Sequence, residues 1–203
     1  MKLFDSKGPN PKAVRMFAAE KGIALERVAV DMIAGENRRQ PFLDINPLGQ
    51  LPVLQLEDGT VITEIVAICE YLDEISDTPS LLGDTPQQRA LARMWARRLD
   101  LNIMMPMADG YRFAEGLSFF KDRIHCIPDA APGLKAIAKH WLSWLDGAMK
   151  DRPFICGQQL TLADIMLFAN VDFFRRVGQP LDPAWTAIAA WHERMNARAS
   201  ARA

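Results

Sequence analysis

Asn46-Pro47-Leu48-Gly49-Gln50-Leu51-Pro52-Val53-Leu54 ends in a short apolar strand with a proline at its mouth. Proline has no N–H and removes a ladder bond, so it belongs at a strand entry or an edge. A cis Leu51-Pro52 peptide bends the chain there and leaves the backbone N–H and C=O of Leu51 free to pair with something else. Further on, Thr63-Glu64-Ile65-Val66 opens a helix with a carboxylate at its start. A free main-chain pair beside such a helix end is a peptide-binding edge, read here as the seat of a small peptide-like cofactor.

Working outward, residues 1–75 alternate strands with helices. Lys2–Asp5 reads as a strand, and Asn10-Pro11 opens a helix, with Asn as N-cap and Pro in the first turn. Val14, Phe17 and Ala18 share a face of that helix, and Gly22 ends it. Residues 24–32 read as the next strand, and residues 41–44 as a short helix. Residues 53–56 and Val61–Thr63 flank Glu57-Asp58-Gly59-Thr60, whose Asp-Gly signals a hairpin. Residues 64–75 are an amphipathic helix. A helical crossover plus a hairpin implies a sheet of mixed direction.

Residues 76–86, rich in Pro and Gly, read as a linker. Residues 87–203 carry only helical periodicity, giving an α/β half followed by an all-α half. One long helix is expected over residues 86–107, a strongly periodic one over 133–150, a buried one over 162–177 and a last one over 183–198, with residues 197–203 fraying. Thr161 and Asp164 have capping-box spacing and are assigned to folding.

Bulk properties exclude several classes. Of 203 residues, 49% are hydrophobic and 24% charged, and 24 Lys plus Arg against 25 Asp plus Glu leave a net charge of −1. Nothing global attracts nucleic acid or an anionic membrane. Cys69, Cys126 and Cys156 are far apart, with no metal-ligand spacing and no disulfide framework. No apolar run approaches the ~20 residues that span a bilayer, and the N-terminus has no signal-peptide core. A cytoplasmic protein with no bound metal is expected.

Taken together, Asn46 to Leu54, Thr63-Glu64 and Gly157 with Leu160-Thr161-Leu162-Ala163-Asp164 resemble the cytosolic glutathione S-transferase superfamily over essentially the whole chain. The resemblance implies a thioredoxin-like N-terminal domain, an all-α C-terminal domain, glutathione as co-substrate, a detoxifying transferase and a homodimer. It implies that Pro52 is the family's cis-proline and that Leu51 pairs its backbone with the cysteinyl part of glutathione. Glu64 then takes the γ-glutamyl ammonium, and the N–H of Ile65 takes its carboxylate. Asn37 and Gln50 occupy positions that reach the glycyl end, with Arg38 and Arg39 as further candidates.

Two departures stand out. Ile65 replaces the usual Ser, which removes one hydroxyl bond worth ~1 kcal/mol. Gly8 stands where many classes carry the catalytic Ser, Thr or Cys, and the first strand-helix unit has no Tyr. The chain resembles bacterial and fungal members that rely on the helix N-terminus and bound water. Asn10 is then either a helix cap, a donor to the thiol, or both, and Ser6 either is structural or reaches the same water. Tyr111 and Arg112, with Phe113, Phe119, Phe120, Met104, Met105 and Met107, lie where the family builds its electrophile pocket; helix packing and dimer contact is the competing reading. His125 is read as a lone loop histidine. The expected function is conjugation of glutathione to small hydrophobic electrophiles, with a peroxidase side activity. The alternative, favoured by Gly8 and Ile65, is a non-catalytic binding or scaffold protein on the same fold.

Overall fold

The computed structural model describes all 203 residues. Its first half is β1 (Lys2–Asp5), α1 (Pro9–Glu20), β2 (Glu26–Ala29), α2 (Phe42–Ile45), β3 (Val53–Gln55), β4 (Val61–Thr63) and α3 (Ile65–Glu74). The sheet order is β2-β1-β3-β4. β1 pairs parallel with β2, while β1–β3 and β3–β4 are antiparallel. That is the mixed sheet expected of one crossover and one hairpin. β2 is only four residues long, shorter than the expected span of residues 24–32.

The second half is helical: α4 (Pro86–Leu99), α5 (Met105–Arg112), α6 (Leu117–Phe120), α7 (Ala131–Ala148), α8 (Leu162–Phe174) and α9 (Thr186–Asn196). α4 and α5 are joined by a π-helical stretch, Asp100–Met104, so the long helix runs on past Met107 to Arg112. The wide turn precedes Pro106, which has no N–H to give the ladder.

One apolar core runs through both halves. Leu3, Val14, Phe17, Leu54, Ile68 and Leu72 join Leu99, Met107, Leu145, Phe168 and Trp191 in a single buried cluster. α1 is shared between the halves: it packs on α3 and on α8. Ala13 and Ala18 on its buried surface permit close approach.

Two expectations about ends are corrected. α1 starts at Pro9 with Gly8 as N-cap, and Asn10 lies within the first turn without capping anything. A proline at the first position needs no N–H partner, so the helix starts earlier than an Asn cap would place it. The chain end does not fray either. Residues Ala199–Arg202 form a 3₁₀ turn docked on α1, where Arg198 Nε is 2.6 Å from Glu20 Oε1 and Arg15 Nε donates to the carbonyl of Ala203 at 3.2 Å.

The capping box at α8 has the expected form. Asp164, with 0% exposure, accepts from the N–H groups of Ile155 (2.9 Å) and Thr161 (3.0 Å), the Thr161 hydroxyl (3.0 Å) and Trp191 Nε1 (3.0 Å). Burial pushes its carboxyl upward in pKa, and the four donors work against that. A second carboxylate, Asp146 on α7, accepts the N–H of Ile188 at 2.9 Å and satisfies the first turn of α9.

Asp164→Ala orphans four buried donors and leaves a hole beside Trp191. The expected cost is ~3–5 kcal/mol, read as a lower midpoint in urea unfolding. A second prediction concerns Asp172 on α8. Burial tends to raise its pKa, but Lys12, Arg175 and Arg176 outweigh burial and hold it at about 2. Its folded pKa is thus depressed, so its contribution is complete above the ordinary carboxylate value of ~3.9 and is lost as pH falls toward 2. Melting curves of wild type and Asp172→Asn should differ at neutral pH and converge as pH falls from about 4 toward 2.

Candidate active site

A cleft of about 1060 Å³ opens at the seam between the sheet and the helical half. Its floor comes from the first half: Ser6 to Pro11, Leu51, and the start of α3 at Glu64, Ile65 and Val66. Its opposite wall comes from Met104, Met105, Tyr111, Arg112, Phe119 and Phe120, with Met166, Asn170, Phe173 and Phe174 of α8.

The floor presents unused backbone groups. The Leu51-Pro52 peptide is cis. Neither the N–H nor the C=O of Leu51 pairs with any backbone group of the chain, because the β3 ladder begins only at Val53. Glu64 holds the N-cap position of α3 with φ 69° and ψ 130°. Positive φ in a residue with a Cβ is uncommon and costs conformational energy. Here it lets the chain enter α3 with the Glu64 side chain exposed at the cleft. No side chain caps α3, so its first N–H groups, from Ile65 onward, are open to an anion.

Across the floor, the first turn of α1 is poor in donors. Pro9 and Pro11 have no N–H, and that of Lys12 donates to the carbonyl of Gly8 at 3.2 Å. Among Pro9 to Lys12, the free main-chain donor is therefore the N–H of Asn10, and the Asn10 amide caps nothing. The Ser6 hydroxyl lies 3.2 Å from the thioether sulfur of Met32. Asp5, beneath this turn, is ion-paired with Arg15 and Arg27.

The wall is aromatic. Tyr111 meets Phe120, Phe173 and Phe174 at centroid distances of 6.2, 5.8 and 5.8 Å. A Cβ on Gly116 would stand 2.9 Å from its ring, so glycine is required for the close approach. Arg112 is paired with Asp109 at 2.9 Å. Arg123, itself outside the lining, links two lining residues, donating to the Met32 carbonyl at 2.6 Å and lying 3.8 Å from the Phe119 ring centroid.

The sequence-predicted residues thus divide. Ser6, Asn10, Leu51, Glu64, Ile65, Tyr111 and Arg112, with Met104, Met105, Phe119 and Phe120, face one cleft. Pro52 is buried behind Leu51. Asn37 is buried, its amide donating to the Gly49 carbonyl at 2.6 Å and its Oδ1 without a partner. The backbone of Gln50 is held by Asn46, at 2.9 Å from its carbonyl, and Gln50 stands outside the cleft lining with Arg38 and Arg39. Met107 is in the core, and Phe113 and His125 stand away from the cleft. Met166, Asn170, Phe173 and Phe174 of α8 also line the cleft, although in the sequence α8 reads only as a buried helix.

Comparison with known proteins agrees with this architecture. Residues 8–75 match the family described as glutathione S-transferase, N-terminal domain, and residues 128–194 match glutathione S-transferase, C-terminal domain. Glutathione S-transferase 2 of Saccharomyces cerevisiae is 32% identical over 200 residues, covering 96% of this chain and 84% of that one. The crystal structure of Gtt2 from Saccharomyces cerevisiae superposes with TM-score 0.92 at 29% identity, covering 100% of this chain and 99% of that one. A glutathione S-transferase domain-containing protein of Marinobacter aquaeolei gives TM-score 0.91 at 32% identity, covering 99% and 100%. With the cis-proline mouth, the acidic N-cap of α3 and the α8 capping box all in place, this chain belongs to the glutathione S-transferase superfamily, transferases whose co-substrate is glutathione.

Proposed function

We propose that the protein conjugates glutathione to small hydrophobic electrophiles. The observation that carries this reading is the unpaired backbone of Leu51 beside the exposed Glu64 carboxylate and the open N-terminus of α3, all on one cleft with an aromatic wall. A γ-glutamyl tripeptide matches those groups in kind. Its cysteinyl N–H and C=O pair with Leu51 as an added strand pairs with an edge. Its ammonium meets Glu64, and its α-carboxylate meets the N–H groups at Ile65.

A free cysteine thiol has a pKa of roughly 8.5, so activation means favouring the thiolate. The Asn10 N–H and amide, the dipole of α1 and a water beside Gly8 are the donors in this proposal. The thiol proton leaves to water. The thiolate electron pair forms the new S–C bond, and in a substitution the leaving group departs with its bonding pair as an anion. The same thiolate attacks the terminal oxygen of an organic hydroperoxide, the O–O bond breaks and an alkoxide leaves; a second glutathione thiol then attacks the sulfur of the resulting sulfenic acid, giving the disulfide and water. Met104, Met105 and the rings around Tyr111 give the electrophile an apolar, adaptable surface. The cytoplasmic homodimer that the resemblance implies is part of the same proposal.

Retention on glutathione-agarose together with turnover of chlorodinitrobenzene is the expected result. Retention without turnover leaves a binding protein, and no retention removes the reading. Glu64→Gln should raise KM for glutathione about tenfold or more, the worth of one charge-assisted bond, with a smaller effect on kcat. Asn10→Ala should lower kcat and move the pH–rate midpoint upward; an unchanged profile assigns thiol activation to other groups.

A further inference from the structure

Behind the cleft, where α1 meets α8, lies a charge cluster that the steps above do not use. Lys12 Nζ stands 2.8 Å from Asp172 Oδ2 and 4.9 Å from the centroid of the Phe168 ring. Asp172 Oδ1 accepts from Arg175 at 3.1 Å and Arg176 at 2.8 Å. His192 Nε2 lies 3.8 Å from the same oxygen and is buried without a hydrogen-bond partner. Burial, then the Arg175 charge, lowers the His192 pKa, so this ring stays neutral at pH 7. Three cations therefore surround a single carboxylate.

The placement of the pair gives it a task. From Lys7 to Ala13, Lys12 is the residue whose side chain makes a hydrogen bond, and it makes it to α8. α8 also supplies Asn170, two positions before Asp172, and Phe173, one position after it, to the cleft. The pair thus ties the turn that faces the thiol to the wall that faces the electrophile. Sliding or rotating either helix breaks this bond and leaves the part-buried Lys12 ammonium without its carboxylate, while Asp172 keeps Arg175 and Arg176. The surplus positive charge also sits behind a helix N-terminus that is already positive, and it favours an anion in front.

We propose that Lys12 and Asp172 are positioning residues for thiolate transfer, holding the first turn of α1 against the electrophile wall and adding positive charge behind the thiol. The proposal rests on the glutathione-transferase reading. Its test uses Lys12→Met, Lys12→Arg and Asp172→Asn in the full chain. The readouts are kcat and KM for glutathione with chlorodinitrobenzene across pH, and the ultraviolet titration of the bound thiolate. Lys12→Met should lower kcat about tenfold or more while KM for glutathione stays within about twofold, since displacement by a fraction of an ångström acts on the transition state. It should also raise the pH at which the bound thiol ionises, and Lys12→Arg should recover most of both.

Lys12→Met with wild-type kcat and wild-type thiol titration, losing only thermal stability, overturns the proposal. So does equal loss in Lys12→Met and Lys12→Arg. If Lys12→Met does not fold, Asp172→Asn carries the test: kcat falls with the thiol titration not raised, because the Lys12 charge remains, and an unchanged kcat overturns the proposal. Wild-type protein that fails to bind glutathione defeats the underlying reading first, and this inference with it.

Discussion

Burial of α1 on two sides at once is the constraint on which the rest of the structure depends. One side packs with α3, the other with α8. Small side chains at Ala13 and Ala18 let both neighbours approach, while Val14, Met16 and Phe17 fill the space between. A helix held this way cannot shift without opening the core on one side, so its N-terminus is fixed relative to both halves. The docked chain end reinforces this through Arg198 and Glu20 and through Arg15.

The cleft follows from that arrangement. Its floor consists largely of backbone groups that the fold leaves unpaired: Leu51 before the β3 ladder begins, and the first N–H groups of α3 behind Glu64. Its wall consists of side chains from helices distant in sequence, Tyr111 on α5 and Phe173 on α8 meeting 5.8 Å apart. The floor has fixed polar groups suited to one peptide-like ligand, whereas the wall has rings and thioethers suited to many apolar ones. In the proposed function this division separates recognition of a constant co-substrate from tolerance of a variable partner.

Much of this was legible in the sequence where the signal is local. The Asp58-Gly59 turn, Gly22 after α1 and the Thr161/Asp164 box each specify backbone geometry within a few residues, and each appears as read. The errors fell at ends. Pro9 moved the start of α1 ahead of Asn10, and the final turn was read as frayed because the carboxylate that holds it, Glu20, is 178 residues away from Arg198. The π-helical stretch before Pro106 leaves no mark in the sequence, since apolar periodicity continues through it.

The sequence by itself determined the order of elements in the first half, the mixed sheet, the Leu51-Pro52 mouth and the acidic start of α3, because turns, caps and side-chain period are set by neighbouring residues. Tertiary structure alone decided that α8 lines the cleft, that Asn37 is buried with its amide spent on Gly49, and that Lys12 pairs with Asp172. A uniformly apolar helix gives no sign of which face meets a cavity. A charge at the start of one helix finds its partner 160 positions later only when the core brings the two helices together.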